Sequence, residues 1–456
     1  MKIIYSFLLT LSLITLSFSA NLKLKYTNFS SDNVINHITE LSSEKYEGRL
    51  PGNEGNVQAT KYIQEQMINY KLKPYEENYL DVFSLHTPTL EDSTPTLEIL
   101  DKNGQIVHEF KYGVDFKESF LNFKINKFKV NTNDKWRVFS NAIEIITSNN
   151  ESLVFSVINE DFNFRSSFVY DNPIDLSILI TEETNRKILD YYKKGYSFNL
   201  NIPYKAKENE INNVVGYIKG KDSSNAPLVL SAHFDHMGKD LLGNIYPGAL
   251  DNASGTAFLL ELSRYLNSLP TPNRDIIIVA FNAEEFGLLG SKHFAQENSE
   301  NLQDSKVINF DMIGSNNDVP LTLMTGSNAT HSSLINSLSK IAEKQNTNYL
   351  LEISDASDHA SFSDNGVNSI TLCDFDTTRI HSPQDKVEFI DKNSIIRAFN
   401  LVITEIINSS YNNNSFLLYS PVIFYSSLII SFLLVSIPLI YGLFKTFQSN
   451  NNHKKK

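Results

Sequence analysis

From Asn212 onward the chain repeats one pattern, a short apolar or β-branched run followed by polar punctuation or a stretch of helical period. The runs are Val214–Ile218, Leu228–Ala232, Asp275–Phe281, Lys306–Phe310, Leu321–Met324 and Ser369–Leu372, and Ala253–Leu266, His331–Gln345 and Lys392–Ile407 separate several of them. Strands buried on both faces read as near-continuous apolar runs, and strands that alternate with helical segments indicate a parallel sheet. The pattern therefore predicts an α/β fold, a mostly parallel, doubly wound sheet with helices on both faces. In such sheets the chemistry collects at the C-terminal ends of the strands.

Four of the runs end in metal-binding residue types. His233 and Asp235 follow the second run, Asn282-Ala-Glu284-Glu285 the third, Asp311 the fourth, and Arg379-Ile-His381-Ser-Pro383 comes after the last. Asp251 lies in Pro247–Gly255, where a loop turns into the helical stretch Ala253–Leu266. Carboxylates packed this densely would repel one another and be forced to take up protons. A divalent cation resolves that conflict, and mixed imidazole and carboxylate donors suit zinc while leaving manganese and cobalt open. Any one of these residues alone is more often a solvated carboxylate or a hydrogen-bonded histidine; the argument lies in their convergence. Among ten histidines, His233 and His381 stand at strand ends beside acidic partners. His236 shares the first block but is the weaker ligand candidate, and His359 is a near rival.

The blocks Ala232-His-Phe-Asp-His236, Leu250-Asp-Asn-Ala-Ser-Gly255, Asn282-Ala-Glu-Glu-Phe-Gly-Leu-Leu-Gly-Ser291, Asn309-Phe-Asp-Met-Ile-Gly314, Ser357-Asp-His-Ala-Ser-Phe362 and His381-Ser-Pro-Gln-Asp385 resemble, in order, those of the di-zinc aminopeptidases. That group comprises aminopeptidase Y and the bacterial leucyl aminopeptidases, relatives of glutamate carboxypeptidase. The resemblance implies two Zn2+ per chain: His233 and Asp311 on one, Glu285 and His381 on the other, Asp251 bridging both. It further implies Glu284 as general base and Asp235 as the carboxylate that orients His233. The chemistry is consistent with these roles. A bridged metal pair activates a shared water and polarises a carbonyl, and adjacent glutamates can point apart, so that one ligates while the other moves protons. One departure is Leu250, where many relatives carry a second acidic residue before the bridging aspartate. Glu47-Gly-Arg49 is similar to a loop near the start of members with a protease-associated insertion, although it also reads as a plain structural turn.

The rest of the chain divides around this unit. Lys2, the apolar run Ile3–Leu16 and small residues at Ser17 and Ser19 have the form of a cleavable signal peptide over residues 1–19. Residues 20–81 read as the first part of the catalytic domain. Residues 82–205, rich in aromatics and alternating strands such as Thr96–Leu100 and Ile143–Thr147, read as a β-rich insertion. Its end, Leu176–Thr181, Glu182–Lys194 and Tyr196–Ile202, is expected to form strand, helix and strand, as in a protease-associated domain. Residues 206–410 complete the catalytic domain. Residues 416–444 carry no charge and exceed the ~20 residues that span a bilayer as a helix. The lysines in residues 445–456 mark that tail as cytoplasmic by the positive-inside rule, which puts the catalytic domain outside the cytoplasm. A formal charge of −12 argues against nucleic acid as a partner, and a single cysteine, Cys373, excludes an intrachain disulfide. The leading expectation is a membrane-anchored aminopeptidase acting on peptides with a free N-terminus. The alternatives are a glutaminyl cyclase-like enzyme or a receptor-like ectodomain without catalysis.

Overall fold

The computed structural model describes residues 2–25, 28–159, 161–316, 318–328, 333–411 and 421–453. His331, the linker Asn412–Asn414, residues 416–420 and the lysines 454–456 lie outside this set. A nine-stranded sheet carries the fold. Its strands are β1 (Lys73–Pro74), β2 (Leu80–Leu90), β3 (Tyr204–Ile218), β4 (Leu228–His233), β5 (Ile276–Phe281), β6 (Lys306–Asp311), β7 (Leu321–Thr325), β8 (Tyr349–Ile353) and β9 (Asn368–Cys373). The order is β1-β3-β5-β4-β6-β9-β7-β8, with β2 also paired to β3. The four central strands β5, β4, β6 and β9 are mutually parallel. Antiparallel pairings flank them, β3 on β5 and β7 on β9, so the sheet is mixed at its margins and parallel where the site lies.

Side-chain alternation explains why the central runs are mainly apolar. In β4, Leu228, Leu230 and Ala232 face one core and Val229 the other; β5 repeats this with Ile276, Ile278 and Ala280 against Ile277, Val279 and Phe281. The first face is covered by Ser31–Leu41, Glu54–Asn69, Gly255–Ser268, Ser333–Gln345 and Lys392–Ser410, through residues such as Val34, Ile63, Leu262, Leu338 and Leu401. The second is covered by Leu289–Glu297 and His359–Ser363, through Phe294 and Phe362. Each fully buried aliphatic side chain is worth about 1.5–3 kcal/mol; the polar residues inside these strands are paired, Ser231 Oγ of β4 donating to Asn309 Oδ1 of β6 at 2.9 Å. β4 and β6 run one residue beyond their apolar runs, so His233 and Asp311 are the last residues of strands.

The insertion leaves and returns through a long antiparallel ribbon of β2 and β3, in register from Leu80↔Val214 to Leu90↔Tyr204. It holds a five-stranded and a four-stranded sheet around a core that includes Phe120, Phe123, Phe155, Phe168 and Phe198. Its closing elements are Leu176–Thr181, Glu182–Lys193 and Ser197–Asn201, the expected strand, helix and strand.

Two described helices are long and apolar enough to cross a membrane: Ile3–Asn21, of 19 residues, and Val422–Thr446, of 25 residues. They pack on each other, with Ser12 Oγ donating to Ser427 O at 3.4 Å and hydrogen-bonded to Ser431 Oγ. The last globular helix ends against the core: Tyr411 is buried and its hydroxyl donates to Leu266 O at 3.4 Å, while Ser410 O accepts from Asn273 N–H. A chain truncated after Tyr411 is therefore expected to be soluble without the C-terminal helix and to keep its melting temperature within a few degrees. Aggregation, or a melting temperature lowered by more than ~5 °C, would show that this helix supports the globular unit.

Candidate metal centre

His233, Asp251, Glu284, Glu285, Asp311 and His381 gather at the C-terminal ends of β4, β5 and β6 and in the loops after β4 and β9. Two sets of donor atoms lie close enough to hold a cation, His233 with Asp251 and Asp311, and His236 with Asp251 and Glu285. His233 Nε2 lies 3.6 Å from Asp251 Oδ1 and 3.5 Å from Asp311 Oδ1. Asp251 turns its other oxygen the opposite way: Oδ2 is 3.3 Å from His381 Nε2, which is itself 3.2 Å from Glu285 Oε1. His236 Nδ1 is also 3.2 Å from Glu285 Oε1 but 4.0 Å from Asp251 Oδ2. The structure thus brings His236 closer to the second set than sequence reasoning ranked it. His359 lies outside both sets, because Thr371 Oγ1 and Ser354 O occupy its two nitrogens.

Local backbone geometry aims these side chains. Asp251 and Asn252, joined by a cis peptide, are non-helical between Gly248 and the helix starting at Gly255, so the expected helix start at Ala253 is displaced by an irregular turn. Ala283, Met312 and His381 all have positive φ, 59°, 55° and 55°. Non-glycine residues in that region cost about 1–3 kcal/mol each, and here they sit just before Glu284, just after Asp311 and at His381 itself.

Much of the support comes from Arg49, read in the sequence only as part of a turn, and from Asp385 and Asp235. Arg49, fully buried, donates to the carbonyls of Leu41, Phe234, Pro247 and Gly248 at 2.6–2.8 Å, tying the loop after His233 to the loop before Asp251. The Glu47–Arg49 segment is therefore structural. Gly48, at φ 71°, has no room for a Cβ, which would meet Gly238 O at 2.3 Å. Asp385 accepts from the N–H groups of Leu250 and Asp251 at 2.8 and 3.0 Å. Leu250 itself packs with Met312 and Cys373. Asp235 Oδ1 is 3.7 Å from His233 Nδ1, beyond hydrogen-bond reach, and its oxygens instead accept from the N–H groups of Glu284 and Glu285 at 3.1 and 3.2 Å. The sequence signal for these contacts was slight, since each joins positions far apart in the chain.

The electrostatics separate the two glutamates. Burial pushes the Glu284 carboxyl well above its usual range, with Glu285, Asp358 and Asp311 adding to the shift against His233. Burial would raise Glu285 too, but His381 and His236 outweigh it and hold that carboxyl well below its usual range. Burial opposes a charge on His381, yet Glu285 and Asp251 carry its pKa to about 11. Among the described residues, His233 Nδ1, His236 Nε2 and Asp311 Oδ1 are buried without a hydrogen-bond partner. Buried polar atoms are rarely left so. Of these, Asp311 Oδ1 belongs to a donor set, 3.5 Å from His233 Nε2, and an orphaned carboxylate oxygen beside convergent imidazoles fits a divalent cation. A separate surface cavity, lined by Tyr75, Tyr217, Pro227, Asp275 and Asp304, lies at the opposite, N-terminal ends of β4 and β5.

An α/β sheet with buried carboxylate and imidazole donors converging at its strand ends has the donor set of a divalent-metal centre. Residues 213–406 match the model of Peptidase family M28. The chain is 30% identical over 270 residues to aminopeptidase YwaD of Bacillus subtilis, covering 57% of this chain and 55% of that protein. It is 35% identical over 151 residues to a glutamate carboxypeptidase 2 homolog of Caenorhabditis briggsae, covering 32% of this chain and 19% of the other. Among solved structures, that of BSAP, a zinc aminopeptidase from Bacillus subtilis, has the same fold, with TM-score 0.62 and 21% identity over 85% of this chain and 96% of that one.

Proposed function

We propose that the chain is a zinc aminopeptidase that removes N-terminal residues from peptides, exported with its catalytic domain outside the cytoplasm and anchored by Val422–Thr446. The observation that carries the reading is the division of Asp251, whose two oxygens face two separate donor sets. One zinc would be held by His233 and Asp311, the other by Glu285 and His381, with Asp251 shared. Bound there, the metal pair would supply Lewis acidity toward the substrate carbonyl and the attacking water.

The chain's own residues do the rest. Glu284 stands 3.9 Å from His233 Nε2, beside both donor sets and in neither. With its carboxyl raised by burial it is suited to take a proton from water and deliver it to the leaving amine. Asp235 holds Glu284 and Glu285 by their backbones, so that one side chain can ligate while its neighbour turns to the substrate. A free N-terminus as the substrate feature follows from the likeness to a protein named an aminopeptidase. The test is hydrolysis of aminoacyl anilides beside their N-acetylated counterparts. Cleavage of the free form alone, abolished by chelator and restored by zinc, is expected; cleavage of the acetylated form at a similar rate would overturn the reading.

His381 is preferred over His236 because a single atom, Nε2, meets both carboxylates, while its Nδ1 is engaged by a carbonyl, Arg165 O, at 3.0 Å. His381→Ala is expected to lose about one metal per chain and nearly all activity, and His236→Ala to keep both metals with reduced affinity. Metal analysis of the two variants decides between them, and the reverse result would exchange the two histidines.

A further inference from the structure

The insertion does more than decorate the domain, because one of its segments reaches both ligand candidates of a single metal position. Arg165 N–H donates to His381 O at 2.9 Å, and His381 Nδ1 meets Arg165 O at 3.0 Å, a reciprocal pair. A carbonyl only accepts, so Nδ1 carries a proton there, and the ring is held with Nε2 facing Asp251 and Glu285. Two residues on, Ser167 Oγ donates to Glu285 Oε2 at 3.2 Å, and Phe168 N–H donates to Glu285 O at 3.0 Å. Phe164 stacks on the His381 ring, centroids 5.5 Å apart at 18°.

The segment is itself clamped. The Arg165 guanidinium is fully buried over the Phe120 ring, 3.6 Å from its centroid. It donates to Met237 O at 2.7 Å and Lys239 O at 3.0 Å, in the loop that follows His236, and lies 3.7 Å from Glu118 of the insertion. Val169 N–H bonds Leu121 O of the same insertion strand. A chain of contacts thus runs from the insertion core to the Glu285 carboxylate and the His381 ring.

We propose that Phe164–Phe168 is a strap by which the insertion positions Glu285 and His381, with Ser167 and Arg165 as positioning residues that set affinity at one of the two metal positions. The proposal rests on the reading of Glu285 and His381 as ligands of one metal. Partners behind metal ligands fix ring and carboxylate orientation, and losing one costs typically 10–100-fold in metal affinity or activity. The same physics acts here through a segment that lies outside the residues of the family match.

The experiment is a zinc titration of the metal-free full chain against a chromophoric chelator, for wild type, Ser167→Ala, Ser167→Thr and Arg165→Met, with melting temperatures with and without zinc. Ser167→Ala is expected to weaken one binding step about 10-fold and leave the other unchanged. The metal-free variant should melt with the metal-free wild type and gain less from zinc, and Ser167→Thr should restore the weakened step. Arg165→Met should weaken the same step further. Two unchanged steps in Ser167→Ala would overturn the proposal, as would equal weakening of both with a lowered metal-free melting temperature, which is the mark of general loosening. A wild type that binds a single zinc overturns the proposal together with the two-metal reading. One that binds two and shows the selective shift, yet cleaves no aminoacyl anilide, overturns the peptidase reading and leaves the strap standing.

Discussion

Glu284→Gln should lower kcat by about 10²–10⁴-fold, the usual contribution of a general acid–base group, while bound metal and KM change little. At about 1.36 kcal/mol per tenfold that is roughly 3–5 kcal/mol of barrier. The substitution keeps the shape of a side chain that belongs to neither donor set and removes only its ability to carry a proton. Glu285→Gln differs by one position and should behave differently. Glu285 faces His381 and His236 at 3.2 Å, so its loss should first weaken metal binding. If Glu284→Gln loses metal and Glu285→Gln retains it with a slow rate, the two roles are exchanged. Near-normal rates and metal in both would mean that the pair is only an acidic strand end.

Asp251→Ala should deplete bound metal more than any other single change at the centre. Each oxygen of Asp251 serves a different donor set, so one substitution removes a donor from both. The expected result is metal content well below one per chain and activity at background. Full occupancy measured by elemental analysis would refute the bridging role.

The parts of this molecule that were legible in its sequence share a physical trait. β4, β5 and β6 are covered on both faces, so their sequences are mainly apolar, with Ser231 and Asn309 bonded to each other inside, and the polar or charged residue ending each run stood out as His233, Asn282 or Asp311. The loop positions of Asp251 and His381 came from composition and family blocks, since neither follows from periodicity. β8, at the sheet margin, is apolar at four of five positions yet half exposed to exposed along its length, so its short run carried no sign of the burial that marks the central strands. β2 mixes Ser, His, Thr and Pro into a ribbon held by β3, so its eleven residues read as the start of the insertion rather than as a strand of the main sheet. Arg49 and the Phe164–Phe168 strap were least readable. Their contacts run to main-chain carbonyls or between backbones up to 216 residues apart, and such contacts leave no pattern in residue types. Asp235 shows the limit of inference from proximity: two residues from His233 in sequence, it spends its oxygens on the backbone of the Glu284–Glu285 turn.

The most direct test of the account is stepwise reloading of the chelator-stripped protein with zinc, with bound metal counted by mass spectrometry and aminoacyl anilide hydrolysis followed at each step. The account requires activity to rise as the second equivalent binds and to level off at two zinc per chain. Full activity at one zinc or with none bound would contradict it.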